Sequence, residues 1–139
     1  MRRAIIVLLL GVVLSLPILD ATAAAKAATR KIVVTRSFTG PTVSVSRWGN
    51  LYVTIKVRRT TTITNGKKKV ARRIVAVSVP LYPNHTDRSV FINSQAIPLL
   101  RSATLQKQTA NIGYVSGATD TSDSYETSLQ AAILKARDW

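Results

Sequence analysis

The sequence contains no cysteine, one histidine and only six acidic residues. Without cysteine no disulfide holds the fold, and there is no thiolate for an iron–sulfur cluster or a cysteine-ligated zinc. No lipid can be attached to a Cys behind an export signal. A single His excludes a multi-histidine metal centre. These side chains carry no redox chemistry of their own, so any electron transfer here requires an organic cofactor. Aromatic residues make up 6% of the chain, and they do not interleave with the charges as stacking platforms for nucleic acid would.

Positive charge is what the chain has in excess. Twenty Lys and Arg residues give a formal net charge of +14. They concentrate between Lys26 and Lys107, where Asp87 is the only acid; acids return late, at Asp120, Asp123, Glu126 and Asp138. The 139 residues fit a single domain. Met-Arg-Arg at the start is followed by an uncharged run from Ala4 to Leu19 and by small residues around Ala21 to Ala25. This is the layout of a secretory signal. Pro17 and Asp20 leave the run short of the ~20 apolar residues that a spanning helix needs, and both a cleaved signal and an uncleaved membrane anchor fit. Either reading predicts an extracytoplasmic protein, secreted or anchored by its N-terminal segment. The expected organisation is a signal peptide or anchor over 1–23, a linker over 24–36 and one folded domain over 37–139.

Periodicity outlines that domain. Ile32 to Thr35 is β-prone, Gly40-Pro41 marks a turn, and TVSVS over 42–46 alternates as a strand does. Leu51, Val53, Ile55 and Val57 alternate with polar residues, a period of two. Asn65-Gly66 is the favoured dipeptide of a type I′ hairpin turn. The return strand runs from Lys68 to Val79, with Val75, Val77 and Val79 expected on one face. Pro80 and Pro83 close the sheet pattern. Ser89 to Ile97 reads as a short helix, and Pro98 suits the first turn of a second one reaching towards Gln108. A last helix is predicted over about 123–137, where Asp123 and Glu126 have capping-box spacing.

The stretch YVSGATDTS, residues 114 to 122, stands at the head of that last helix. Ser, Thr and Asp before a helix are ordinary caps, and Ser116-Gly117 is an ordinary turn pair. The same residues also suit phosphate. A helix N-terminus offers free N–H groups and partial positive charge. Gly117 and Ala118 allow close approach to the backbone, the hydroxyls of Ser116, Thr121 and Ser122 can serve phosphate oxygens, and Thr119 can be esterified if a separate enzyme activates it.

VSGATDTS resembles the flavinylation motif of the FMN-binding domain family. That family includes domains in the C subunit of the sodium-pumping NADH:quinone reductase, in the related electron-transport G subunit and in small secreted bacterial proteins. Its pattern is Asp-x-x-Ser/Thr-Gly-Ala-Thr, which places Ser116, Gly117, Ala118 and Thr119 on the motif and Gly113 where the family has Asp. Flanking segments are similar too: Arg47-Trp48-Gly49 ahead of the hairpin, Tyr82-Pro83, Arg88-Ser89 with Ile92-Asn93, Ala96-Ile97-Pro98-Leu99, Leu105-Gln106-Lys107-Gln108, and Tyr125 through Gln130. The resemblance covers about residues 37 to 136.

It implies a small α+β domain, an antiparallel sheet with a central basic hairpin packed by two to three helices. It also implies FMN, possible in covalent form through its phosphate on Thr119, a flavin transferase for maturation, and electron transfer with an unknown redox partner instead of an enzyme's turnover. Tyr114 and Trp48 are candidate surfaces for the flavin ring, and equally ordinary core or rim aromatics. Ser89 and Asn93 match family positions near the flavin loop; they also read as a helix cap and its network.

Two features stand apart from the loop. The hairpin is strongly basic, through Lys56, Arg58, Arg59, Lys67, Lys68, Lys69, Arg72 and Arg73. Such charges protect a solvated sheet edge, and outside a cell they also suit an anionic membrane or cell-wall surface. Nucleic acid is set aside because of the export signal. His85, between Asn84 and Thr86 in a turn-rich loop, reads as a solvated side chain, since nothing resembles a nucleophile elbow. Two functional readings therefore stand: an exported FMN carrier, or a module of the same fold without cofactor that uses its basic hairpin on anionic surfaces.

Overall fold

The computed structural model describes residues 28–139. The signal or anchor reading of 1–23 lies outside the described residues. In chain order the elements are β1 (Thr29–Thr39), β2 (Val43–Ser44), a single 3-10 turn (Ser46–Trp48), β3 (Asn50–Thr64), β4 (Lys67–Leu81), α1 (Asp87–Lys107) and α2 (Thr119–Arg137).

The hairpin forms where its turn chemistry predicts. Asn65 and Gly66 take φ of 52° and 75°, the left-handed pair that a two-residue hairpin loop needs. β3 is the sheet's centre, with β1 and β4 antiparallel on it and the short β2 pairing its first residues. This is an α+β fold with an antiparallel sheet and a central basic hairpin. Leu51, Val53, Ile55 and Val57 are all buried beneath the helices, α2 lying on β3 and α1 along β4. Each such side chain stabilises the fold by roughly 1.5–3 kcal/mol.

Several boundaries differ from the sequence expectation, each for a local reason. β1 begins at Thr29, inside the stretch expected as linker, because full pairing with β3 from Thr29↔Thr64 to Thr39↔Thr54 supports residues whose side chains are almost all exposed. Of TVSVS only Val43 and Ser44 pair. Ser46 turns left-handed at φ 49°, and the Val45 amide donates to Gly49 O at 2.7 Å, so the chain folds back on itself. In β4 a bulge sets Val57 against Ile74 while Lys56 pairs with Ala76. Val75 is the extra residue, and Ile74 joins Val77 and Val79 in the core in its place. β4 runs through Pro80 to Leu81, because Pro80 falls at a second register shift where no ladder donor is needed.

The two helices expected on either side of Pro98 are one helix, α1. Pro98 removes the amide that would bond Ser94 O, but both residues are exposed, so water serves that carbonyl and the helix continues. Arg101 of this helix and its C-cap residue Gln108 also finish the outer edge of β4. Gln108 Oε1 accepts from Ile74 N at 2.7 Å while Nε2 donates to Ile74 O at 3.0 Å, and Arg101 Nε donates to Val77 O at 2.9 Å. Side chains here do what a further strand would do.

α2 approaches the sheet unusually closely because its inner face is small and polar. Ser128 Oγ accepts from Val53 N and donates to Pro41 O, both at 2.9 Å. It bridges the ladder where the chain leaves β1. Ser124 Oγ donates to Ser44 O at 2.9 Å. Among the described residues no buried side-chain polar atom lacks a partner.

Tyr125 is fully buried between the helices. Thr104 Oγ1 donates its one hydrogen to Leu100 O at 2.8 Å, so the 2.8 Å contact between Tyr125 Oη and Thr104 Oγ1 is a tyrosine donation. Burial pushes the Tyr125 hydroxyl up from its ordinary value of 10.0 to about 12, with the Arg101 charge pulling more weakly the other way. A raised tyrosine favours the neutral form in the folded state. Its contribution is intact below pH 10 and is lost as pH climbs towards 12, about 2–3 kcal/mol over that window. Tyr125→Phe is expected to lack this loss. Denaturant titrations of both proteins below pH 10 and near pH 12 should show their stabilities converging; a constant difference rejects the assignment.

Candidate functional site

The loop between the helices is held at both ends by α2. Glu126 Oε1 accepts from Ile112 N at 3.1 Å and from Gly113 N at 2.8 Å. Glu126 is therefore a loop clamp inside the helix and no part of a capping box. α2 begins four residues earlier than expected because a turn places its first residue: Ala118 N donates to Val115 O at 3.0 Å, with Gly117 at φ 81° supplying the positive φ of a type II turn. Ser122, fully buried, locks that turn from within the helix. Its Oγ accepts from Val115 N at 3.0 Å and donates to Ala118 O at 2.8 Å.

Ala118 is the N-cap of α2, and no side chain caps this end. The first-turn amides of Thr119, Asp120 and Thr121 thus lie at an end carrying partial positive charge. They border a cleft of about 480 Å³, within the ~300–1,000 Å³ typical of ligand pockets. Gly117, Ala118, Thr119 and Thr121 form one wall. The first turns of α1 form another, with Arg88, Ser89 and Asn93. The 3-10 turn closes the third side with Arg47 and Trp48, whose guanidinium and ring lie 5.0 Å apart. Two guanidiniums against the one carboxylate of Asp120 make this an anion-favouring cleft.

The expected site residues separate by role. Thr119 is exposed on the lining. Thr121 is buried and donates to Asn93 Oδ1 at 2.9 Å, while Asn93 Nδ2 donates to Pro83 O at 2.7 Å. This chain ties α2 to α1 and both to the end of the sheet. Ser89 is occupied by the capping box with Thr86, its Oγ accepting from Thr86 N at 3.1 Å. Ser116 is exposed but off the lining, and Ser122 serves the turn. Trp48 borders the cleft, whereas Tyr114, 62% exposed, does not. His85 is exposed and outside the lining. Gly113, where the motif it resembles has Asp, takes φ 85° and lies outside the lining.

Arg47 and Arg88 were not singled out as site residues by sequence reasoning. Their signal was membership of the flanking segments Arg47-Trp48-Gly49 and Arg88-Ser89, to which no site role was attached. Among the described residues no group of His, Asp and Glu could hold a metal ion. No family model matches the chain, and no curated protein matches it.

Proposed function

We propose that the protein is an exported FMN carrier, with FMN linked through its phosphate to Thr119. The observation that carries this reading is the exposed Thr119 hydroxyl at the uncapped end of α2, on the lining of a cleft with two arginines. Its neighbours Thr121 and Ser122 have buried hydroxyls committed to the fold. The resemblance of Ser116 to Thr119 to the flavinylation motif adds the identity of the ligand.

The donor set fits the group. Arg47, Arg88 and the first-turn amides of α2 offset phosphate charge. Trp48 offers flat apolar surface to a ring. The Thr121–Asn93–Pro83 chain fixes the two walls against each other. FMN in this position supplies reversible electron transfer. A threonine hydroxyl is a weak nucleophile on its own, so a flavin transferase must activate Thr119. The ester joins Thr119 Oγ1 to the FMN phosphate, with the hydroxyl proton and one phosphate hydroxyl leaving as water overall.

Intact mass after co-production with a flavin transferase tests this. The expected product is yellow and heavier by one FMN less one water, with the added mass on the tryptic peptide 108–135 and fragmentation placing it on Thr119. A colourless, unmodified protein under those conditions overturns the proposal.

A further inference from the structure

The far end of the sheet is a second candidate surface, independent of the flavin reading. β1, β3 and β4 run on past the helices as a three-stranded blade. From 29 to 34 in β1 and from 67 to 73 in β4 every residue is exposed. The register sets Lys31, Thr62 and Lys69 in one row, with Thr29, Thr64 and Lys67 beyond it on the same face. The other face carries Val34, Arg59 and Arg72, then Ile32, Thr61 and Val70, then Arg30, Ile63 and Lys68. No acidic residue occurs anywhere between 28 and 86. At the blade's base the C-terminal Trp139 ring lies 4.5 Å from the Arg59 guanidinium and 5.0 Å from that of Arg36.

We propose that this blade docks the protein, tip first, on an anionic lipid bilayer. Charge complementarity is the first reason, because Lys67, Lys68 and Lys69 are exposed at the tip with no acid near them in sequence. The second is the apolar surface among those charges. Ile32 is 38% exposed, Val33 50%, Val34 40% and Val70 38%. The interfacial region of a bilayer accepts such side chains while lysine stems keep their ammonium groups at the headgroups. A nucleic acid would leave them unused, and no aromatic residue lies in 29–34 or 59–73 to stack on bases.

The third reason is topology. Thr29 pairs with Thr64 beside the turn at Asn65-Gly66, so the chain enters the described structure at the blade's tip. Residues 24–28, read as linker, span at most about 18 Å when extended. A segment 1–23 held in a membrane would keep the tip at that membrane's surface. Docking also has a consequence for the cleft. Arg47 and Trp48 precede β3 and the tip follows it, so the two ends are separated by on the order of 45 Å along the strand. The tip meets the lipid and the cleft faces away from it.

Because the chain has no cysteine, one introduced Cys carries a label alone. Protein from Ala24 onward, which keeps every residue of the sheet and helices and leaves out the apolar segment 1–23, carries Val33→Cys labelled with an environment-sensitive dye and is mixed with vesicles of phosphatidylcholine and phosphatidylglycerol or of phosphatidylcholine only. Label at Phe91→Cys, 67% exposed and one turn from Arg88, is the control. The expected result is shielding from an aqueous quencher at position 33 in anionic vesicles only, and none at position 91. Changing Lys67, Lys68 and Lys69 together to Gln should weaken the anionic-vesicle effect about a hundredfold at low salt, and changing them to Arg should preserve it. The exposed positions leave the circular dichroism of both variants unchanged. Equal shielding in neutral vesicles, no shielding in anionic ones, or full binding by the Gln variant overturns the proposal. So does tighter binding to duplex DNA than to anionic vesicles at the same salt.

Discussion

Replacing Gly40 with alanine is expected to destabilise the protein by about 3 kcal/mol, the upper end for overpacking a core. A Cβ built on Gly40 would stand 2.0 Å from Ser128 O and 2.5 Å from Ser128 Oγ. The first of these is backbone, so a rotamer change cannot relieve it, and α2 must move off the sheet. That movement stretches the Ser128 bridge to Val53 N and Pro41 O. Buried partners left unmade cost about 1–3 kcal/mol each. Gly40 has no positive φ, so the penalty is steric.

Urea titration of Gly40→Ala, Ser128→Ala and the double variant separates these terms. Ser128→Ala removes the hydroxyl but leaves the carbonyl, and therefore should not rescue Gly40→Ala. Full rescue by the double variant would show that the hydroxyl, and not the backbone approach, sets the limit. Thr119 opens the helix that carries Ser128 at its middle, so the close approach at Gly40 also fixes the height of the cleft wall.

Local chemistry was readable in the sequence wherever it is self-sufficient. Asn65-Gly66 demands positive φ whatever surrounds it, and the alternation from Leu51 to Val57 needs only one covered face. The loop hydroxyls were readable for the same reason, since Ser, Thr and Gly before an apolar period mark a helix entrance. What stayed hidden depends on partners distant in sequence. β1 is polar enough to pass for linker at its start, and only its ladder with β3 makes it a strand. Val75 lost its place to Ile74 because a bulge moves register by one residue, and nothing in a run of alternating valines encodes where.

The site divides along the same line. Thr119 and its turn were visible as a motif. Ser122 looked equivalent to Thr119, yet a fold that needs Val115 N satisfied consumes its hydroxyl. The arginines gather at the cleft because Ser46 turns left-handed and brings Arg47 round to face α1. That is a tertiary event with one residue's backbone as its only local trace.

Thr119→Ala is expected to abolish covalent flavin altogether while leaving stability within about 0.5 kcal/mol, as for other exposed positions. The side chain is exposed and provides no cap, so the fold has no use for it. Thr119→Ser returns an oxygen at the same atom and should recover modified protein. Arg88→Ala should behave differently. It removes charge from the cleft without touching the acceptor hydroxyl, so attachment can proceed but non-covalent FMN should bind more weakly, with the loss shrinking at high salt. Intact mass reads the first two variants, and equilibrium dialysis of free FMN at low and high salt reads the third. Covalent flavin retained in Thr119→Ala would move the attachment to another hydroxyl. Thr119→Ala and Arg88→Ala losing flavin together, with unchanged melting, would instead mean that phosphate capture at the α2 entrance precedes ester formation, since an arginine that only balanced charge after attachment could not prevent it.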